Sequence, residues 1–362
     1  MVKKLHVMQM IDSLSIGGAE RVSVNYANAI SEHDDCLSFH CATREEGLLK
    51  TFISNDVNSF FMRKESLFDV KAYIRLIKYI KENEITIIHA HSSSFFTATI
   101  AKIFTGIKIV WHDHYGKSEN VNARSSGMLK CSSIFFSHII SVNNILKDWA
   151  QRTLYVKTEN IEYLPNYADL TFDDTNPDLP GQNGKRIVVL ANLRPQKDHM
   201  NMLKAFIQVQ KTFSDWHLLL VGRDWNDAYS DGLKEYIKEH KMEKSISILG
   251  GRNDTAQILK SCDIGALSSE SEGLPLALLE YALASLAVVS TDVGECSSVL
   301  NGGKAGTLVA KEDERALANA LIELISDAEA RKINAQSFKK YVAENYSKSV
   351  IISHLLQVYR SL

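Results

Sequence analysis

The chain has 362 residues, 45% hydrophobic and 23% charged, an ordinary globular composition that is too long for one core and makes two domains the expectation. Its 41 basic and 43 acidic residues leave no positive field to hold nucleic acid, and neither half of the chain carries the excess. Five cysteines (Cys36, Cys41, Cys131, Cys262, Cys296) form no CxxC pair and read as reduced core thiols of a cytoplasmic protein.

The opening stretch "MVKKLHVMQMIDSL" carries two lysines, but His6, Gln9 and Asp12 break up any signal-peptide core. The longest apolar run, 274–290, contains Glu280 and is too short to cross a bilayer. The expectation is a soluble protein of the cytoplasm, with room for peripheral work at the inner face of the plasma membrane.

Short β-branched runs alternate with helix-period segments along the whole chain. The first strand is predicted at 5–11. It is followed by "SIGGAERV", which sets Gly17 and Gly18 ahead of a helix over 19–32. The spacing is not GxGxxG, so a dinucleotide fingerprint fails. Strands are predicted at 36–43 and 85–91, with helices over 69–83 and 94–104. Residues 63–84 are basic along part of a helix; a solvated face explains that, and so would contact with anionic lipid headgroups. Strands at 107–114 and 138–143 close the first half. "HAH" (89–91) and "HDH" (112–114) each set two imidazoles on one strand face, as a metal would need. No Asp/Glu cluster completes a shell and no DxD-like pair stands at a strand end, so no metal is expected. Lys117, Arg124 and Lys130 follow the second motif and would suit a phosphate-bearing acceptor.

Residues 167–185 hold Pro177, Pro180, Gly181, Gly184 and four aspartates and read as a linker. Strands follow at 186–193, 216–222, 245–250, 264–269 and 287–294. Helices over 312–326, 328–345 and 347–361 then end the chain with no further strand. Runs apolar on both faces, alternating with helices, mean parallel sheets covered on both sides. The fold class is therefore α/β, two doubly wound Rossmann-like domains facing across a cleft. The boundaries fall at 1–170, a linker 171–185, 186–345, and a last helix 346–362. Open α/β sheets bind ligands at the carboxyl ends of their strands, so both sheets should aim those ends at the cleft.

Chemistry concentrates in two loops of the second half. In "SSESEGLPLALLE" (268–280), Gly273 lets backbone approach a ligand, and the helix start beyond Pro275 offers free N–H groups to a phosphate. Glu272 lies at the mouth. Glu280 lies on the helix, with Leu276, Ala277, Leu283 and Ala284 as its i±3 and i±4 neighbours. Such a carboxylate has no wet face and needs a partner, either a buried Lys or Arg or the hydroxyls of a ribose or hexose. In "ANLRPQKDH" (191–199), Arg194 and Lys197 bring positive charge to a strand end, where a diphosphate would need it.

The ordered set "IGGAERV", "LPNYAD", "ANLRPQKD", "LVGRD", "LGGRND", "SSESEGLPLALLEYALA" and "VVSTDVGE" resembles the retaining glycosyltransferases of family four, with their E-x7-E motif and GT-B architecture. The resemblance covers nearly the whole chain. It implies a hexose-type sugar moved from a nucleotide-diphospho-sugar, a co-substrate and not a cofactor, to a saccharide or lipid-linked acceptor in bacterial surface polysaccharide synthesis. It implies Glu280 on the nucleotide ribose, Glu272 on the hexose and Lys197 on the diphosphate, with the backbone of Gly273 and Leu274 facing the sugar-phosphate. Gly222 and the segment around Arg252 would lie on the nucleobase side, Gly17 and Gly18 would meet the donor from the other domain, and His114 matches the family's cleft histidine. The family's usual arginine two residues before Arg194 is here Asn192, which opens the question of whether Arg194 supplies that charge. A nucleotide-sugar 2-epimerase and a non-catalytic GT-B partner subunit share the architecture and are the rival readings.

Overall fold

A computed structural model describes residues 4–15, 17–116 and 118–362 of the chain. The chain divides into two compact units, Met1–Asn166 with Lys348–Leu362, and Tyr167–Ser347.

In the first unit the strands are β1 (Leu5–Ser13), β2 (Cys36–Glu45), β3 (Asn58–Phe61), β4 (Ile87–His91), β5 (Lys108–Asp113), β6 (His138–Ser141) and β7 (Ile161–Tyr163). They form one sheet in the order β3-β2-β1-β4-β5-β6-β7, with neighbouring pairs parallel. Helices α1 (Gly18–Ser31), α2 (Val70–Glu82), α3 (Phe95–Thr105), α4 (Gly127–Ser133) and α5 (Asn144–Thr153) connect them. Local sequence sets these ends. The Asp69 and Asn143 side chains accept from the backbone N–H of Ala72 and Leu146 at the starts of α2 and α5. Gly106, at φ 74°, takes the left-handed turn that ends α3.

In the second unit β8 (Arg186–Leu190), β9 (His217–Val221), β10 (Ile246–Gly250), β11 (Ile264–Leu267), β12 (Ala287–Thr291) and β13 (Thr307–Val309) form a parallel sheet in the order β10-β9-β8-β11-β12-β13. It carries α6 (His199–Gln210), α7 (Ala228–Glu239), α8 (Thr255–Lys260), α9 (Leu276–Leu283), α10 (Cys296–Val299), α11 (Glu314–Ser326) and α12 (Ala328–Asn345). Strands such as Ile187–Val189 and Leu218–Val221 are buried throughout, as strands covered on both faces must be. Residues 167–185 contain neither helix nor strand, yet they are fastened to this unit. Leu179 lies in its core, and the Arg186 guanidinium donates to the carbonyls of Leu179, Pro180 and Gly181.

The last helix, α13 (Lys348–Ser361), returns to the first unit. Ile351, Ile352, Leu355, Leu356 and Tyr359 are buried there, while Lys348 pairs with Glu32, His354 with Glu162 and Arg360 with Asp35.

Three short strands, β3, β7 and β13, are absent from the sequence reading. Each lies at or near a sheet edge and has three or four residues, so pairing with a neighbour, not its own pattern, makes it a strand. The predicted strand at 186–193 runs too far, because after Leu190 the chain turns to bond across to the loop after β9, with Leu193 N–H on the Arg223 carbonyl at 3.0 Å.

Candidate functional site

Strand order in the second unit reverses between β8 and β11, the switch point at which an open α/β sheet leaves a crevice beyond its carboxyl ends. The two loops that leave those strands are the two with the chemistry. They are tied together by the Ser268 hydroxyl on the Lys197 carbonyl at 3.1 Å and by Glu270 N–H on the Gln196 carbonyl at 3.0 Å. Across this joint the Lys197 ammonium lies 2.6 and 2.7 Å from the two carboxylate oxygens of Glu272. The Ser269 hydroxyl donates a further bond to the same carboxylate at 2.6 Å. A third segment braces the loop from behind. Glu295 N–H bonds the Gly273 carbonyl at 3.1 Å, and a Cβ on Gly294 (φ 54°) would fall 2.0 Å from the Glu272 carbonyl oxygen, so only glycine fits there. Gly273 itself is open, with nothing within 4 Å of where its Cβ would be. No side chain caps the start of α9 after Pro275, which leaves Gly273, Leu274 and that helix start as backbone available to an anion.

Glu280 corrects the expectation of a carboxylate without a wet face. Helix α9 turns Leu278, Leu279, Tyr281 and Ala282 into the core. Leu276, Ala277, Leu283 and Ala284, the neighbours of Glu280, are half-buried, and so is Glu280. The apolar side chains around it form an accessible surface of the unit, and the period of the sequence could not say which of two apolar stripes faced inward.

At the ends of β8 and β9, Asn192 does not carry charge. Its side chain accepts from Arg223 N–H at 2.8 Å and joins the two loops. The positive groups here are Arg194 and Arg223, whose guanidinium carbons lie 4.5 and 5.3 Å from the ring centre of Trp225. Arg223 and Trp225 were not singled out in the sequence, although "VGRDW" puts both directly after a strand end. Gly222 is needed for this close approach, because its Cβ would meet the Ala191 carbonyl oxygen at 2.1 Å. Arg252 is engaged with Asp254 through two bonds of 2.8 and 2.6 Å.

In the first unit, β1 and β4 flank the corresponding switch point. Gly17, extended at φ −161°, precedes α1, and Gly18 is its first residue, with open space around its Cβ position. His114 follows β5 and is half-buried; its surroundings push the imidazole down to about 3, so it is neutral at pH 7. Asp113 is fully buried and bound to the Arg124 guanidinium at 2.6 Å, and its carboxyl is raised by burial, which that arginine only partly offsets. This removes Arg124 from the expected phosphate-binding group: it is spent on Asp113 and on the faces of Tyr115, Trp149 and Trp111. Lys130 lies over Tyr155 at 5.1 Å, and Lys117 is outside the described residues.

The two His-x-His motifs do meet. The ligand atoms of His89, His91 and His112 lie within 4.8 Å of one another, all fully buried. His89 and His91 are stacked, with centroids 4.6 Å apart at 10°, and His112 is tilted 33° to His91; both nitrogens of His91 are bonded within the protein, whereas His89 Nε2 and both nitrogens of His112 have no hydrogen-bond partner among the described residues.

Two doubly wound α/β units, one with an ammonium, carboxylates and an uncapped helix start at its switch point, define an enzyme of the GT-B class. Residues 173–341 match the family described as glycosyl transferases group 1, and residues 16–172 match glycosyltransferase family 4. The chain belongs to family four of the glycosyltransferases. It is 27% identical over 349 residues, 90% of this chain and 88% of the relative, to the UDP-Gal:alpha-D-GlcNAc-diphosphoundecaprenol alpha-1,3-galactosyltransferase of Escherichia coli. It is 26% identical over 281 residues, 75% of this chain and 66% of the relative, to the phosphatidyl-myo-inositol mannosyltransferase of Mycobacterium leprae. Among solved structures it is similar to Anabaena HepE in complex with UDP, with TM-score 0.80 and 18% identity over 99% of this chain and 100% of that one. The apo lipopolysaccharide outer core galactosyltransferase WaaB superposes with TM-score 0.72 at 15% identity, covering 99% of each chain.

Because Glu272 is nearly buried and Lys197 is its counter-charge, replacing either alone strands a charge. Lys197→Met and Glu272→Gln should each lower unfolding free energy by about 1–3 kcal/mol, and the double variant should recover part of the loss. Urea denaturation of the four proteins checks this; additive losses would mean that the pair is not coupled.

Proposed function

We propose that this glycosyltransferase moves a hexose, with retention of anomeric configuration, from a UDP-sugar to a hydroxyl of a lipid-linked saccharide in bacterial surface-glycan synthesis. The observation that carries the proposal is the Lys197–Glu272 pair at the switch point, with Glu280 eight residues on and half-buried. An ammonium has three N–H donors. Two are directed at Glu272, which leaves one for a phosphate oxygen of the donor. Lys197 and the uncapped start of α9 would stabilise the diphosphate as it leaves, with no metal required. Glu272 meets the hexose and Glu280 the ribose, while Arg194 and Arg223 supply charge beside the diphosphate and Gly222 and Arg252 border the base. The relatives support the donor and acceptor classes: the E. coli galactosyltransferase is named for UDP-Gal and a diphosphoundecaprenol acceptor, and HepE was solved with UDP and with UDP-glucose.

A peripheral membrane site for the first unit rests on its surface. Phe68, Val70 and Ile74 are 77%, 66% and 60% exposed on and just before α2; Ile103 and Phe104 on α3 and Ile134 after α4 are 59%, 61% and 65% exposed. Lys71, Arg75, Lys78 and Lys81 are exposed on the same α2. Lys64 is not part of this face, because it is buried against Thr97 at 2.5 Å. Among the described residues no helix is long and apolar enough to cross a membrane. Apolar side chains beside basic ones suit an anionic bilayer surface.

Three outcomes are expected. UDP should raise the melting temperature of the protein by mass action, and Glu280→Ala should weaken UDP binding by about 1.5–3 kcal/mol. Unchanged affinity with lost stability would give Glu280 a structural role only.

The stereochemical outcome separates the proposed chemistry from inversion. Asp113, beside His114, is fully buried and bound to the Arg124 guanidinium at 2.6 Å, so it is not available as the base that inversion would need. NMR of the anomeric proton of the product should show the configuration of the donor; the opposite anomer rules out the retaining assignment.

In flotation with vesicles, the protein should rise with phosphatidylglycerol-containing membranes and not with pure phosphatidylcholine. The variant Phe68→Ser/Ile74→Ser should stay at the bottom. Equal behaviour of parent and variant would dismiss the apolar face as a membrane contact.

A further inference from the structure

The first unit contains a line of hydrogen bonds that the chemistry above does not use. His114 Nε2 lies 3.0 Å from His91 Nδ1, and His91 Nε2 lies 2.8 Å from Gln9 Oε1. Gln9 Nε2 donates to the Tyr359 hydroxyl at 3.1 Å, and that hydroxyl lies 2.5 Å from His89 Nδ1. Gln9, His89 and His91 are fully buried and Tyr359 is 2% exposed. The line runs from the loop after β5 through β4 and β1 to α13, and each step joins residues far apart in sequence.

The parallel register explains why it forms. Gln9 pairs with His89 across β1 and β4, and His91 pairs with His112 across β4 and β5. Side chains at i and i+2 share a face, so Gln9, His89, His91 and His112 lie together. Among these groups only the amide has a donor atom and an acceptor atom that cannot exchange protons. Its oxygen accepts, so His91 holds its hydrogen on Nε2 and presents Nδ1 as an acceptor. His114 must then donate from Nε2, which leaves the lone pair on Nδ1. At the other end the Gln9 N–H donates to the phenol oxygen, so the phenol hydrogen goes to His89 Nδ1. Burial keeps His91 neutral and the Tyr359 phenol protonated, so the line carries no charge, and its direction follows from the Gln9 amide donating to the phenol oxygen.

We infer that Gln9 and Tyr359 are positioning residues for His114: acting through His91, they hold it in the single tautomer whose Nδ1 accepts from a hydroxyl of the bound sugar or acceptor. The inference rests on the proposed reading of His114 as a group that orients substrate. It also gives the returning helix a task in the first unit beyond packing, since α13 supplies the hydroxyl that accepts from the Gln9 amide N–H.

The test uses the full-length protein with 15N-labelled histidine and long-range 1H–15N NMR, with His114 assigned by His114→Asn. In the parent protein, His91 and His114 should both carry the hydrogen on Nε2. Tyr359→Phe frees the amide to turn, so both histidines should become mixtures of tautomers. Its kcat should fall about tenfold, with donor KM within about twofold. Gln9→Met should behave in the same way. A residue that only packs would lower the melting temperature without moving the tautomers. His114 protonated on Nδ1 in the parent protein overturns the inference, and so do variants with parental tautomers and kcat. The parent spectrum decides even if neither variant folds. An expected parent spectrum from a protein that transfers no sugar would sink the proposed function and leave the hydrogen-bond line standing.

Discussion

Parallel strands all deliver their following loops to the same edge, so in each unit the residues after β-strands gather there and those before them gather at the opposite edge. That directional constraint governs the rest of the molecule. Where the strand order reverses, the two central loops diverge to opposite faces and leave a crevice, and in the second unit those two loops hold Lys197 and Glu272. The same constraint in the first unit puts His114 beside the ends of β1 and β4.

Electrostatics then decides what the second unit can do. A carboxylate as enclosed as Glu272 requires a counter-charge, and the one supplied, Lys197, is also the group a leaving diphosphate would need. Because the ammonium is held between two backbone-bonded loops, its position is set before any ligand arrives. Gly294 and Gly222 matter for the same reason, since each lets one loop press against the backbone of another. The arginines over Trp225 add positive charge at the rim.

The first unit is organised differently. Its interior holds a polar group of imidazoles, a glutamine and a tyrosine beneath α1 and α13, each kept neutral by burial. Its outer helices α2 and α3 expose large apolar side chains. A neutral, directional interior can fix the orientation of His114 without adding charge, which suits a histidine that guides a hydroxyl rather than removing its proton.

Much was legible in the sequence. Alternating apolar runs and helical periods marked ten of the strands and the helices α1, α2, α3, α11, α12 and α13, because local periodicity is a property of the chain itself. The family motifs named Glu272, Glu280 and Lys197, and comparison with known proteins places the chain in that family. What the sequence did not contain was adjacency. Nothing in the spacing of 75 positions says that Lys197 and Glu272 touch, that Arg124 is consumed by Asp113, or that Gln9 reaches a tyrosine 350 residues away. Nor does period show which apolar stripe of α9 faces inward, and Glu280 proved half-buried for that reason. The sequence by itself determined the elements, their parallel class and the chemical types at the strand ends. Only the tertiary structure decided the partners, because strand order and register, not distance along the chain, set which side chains meet.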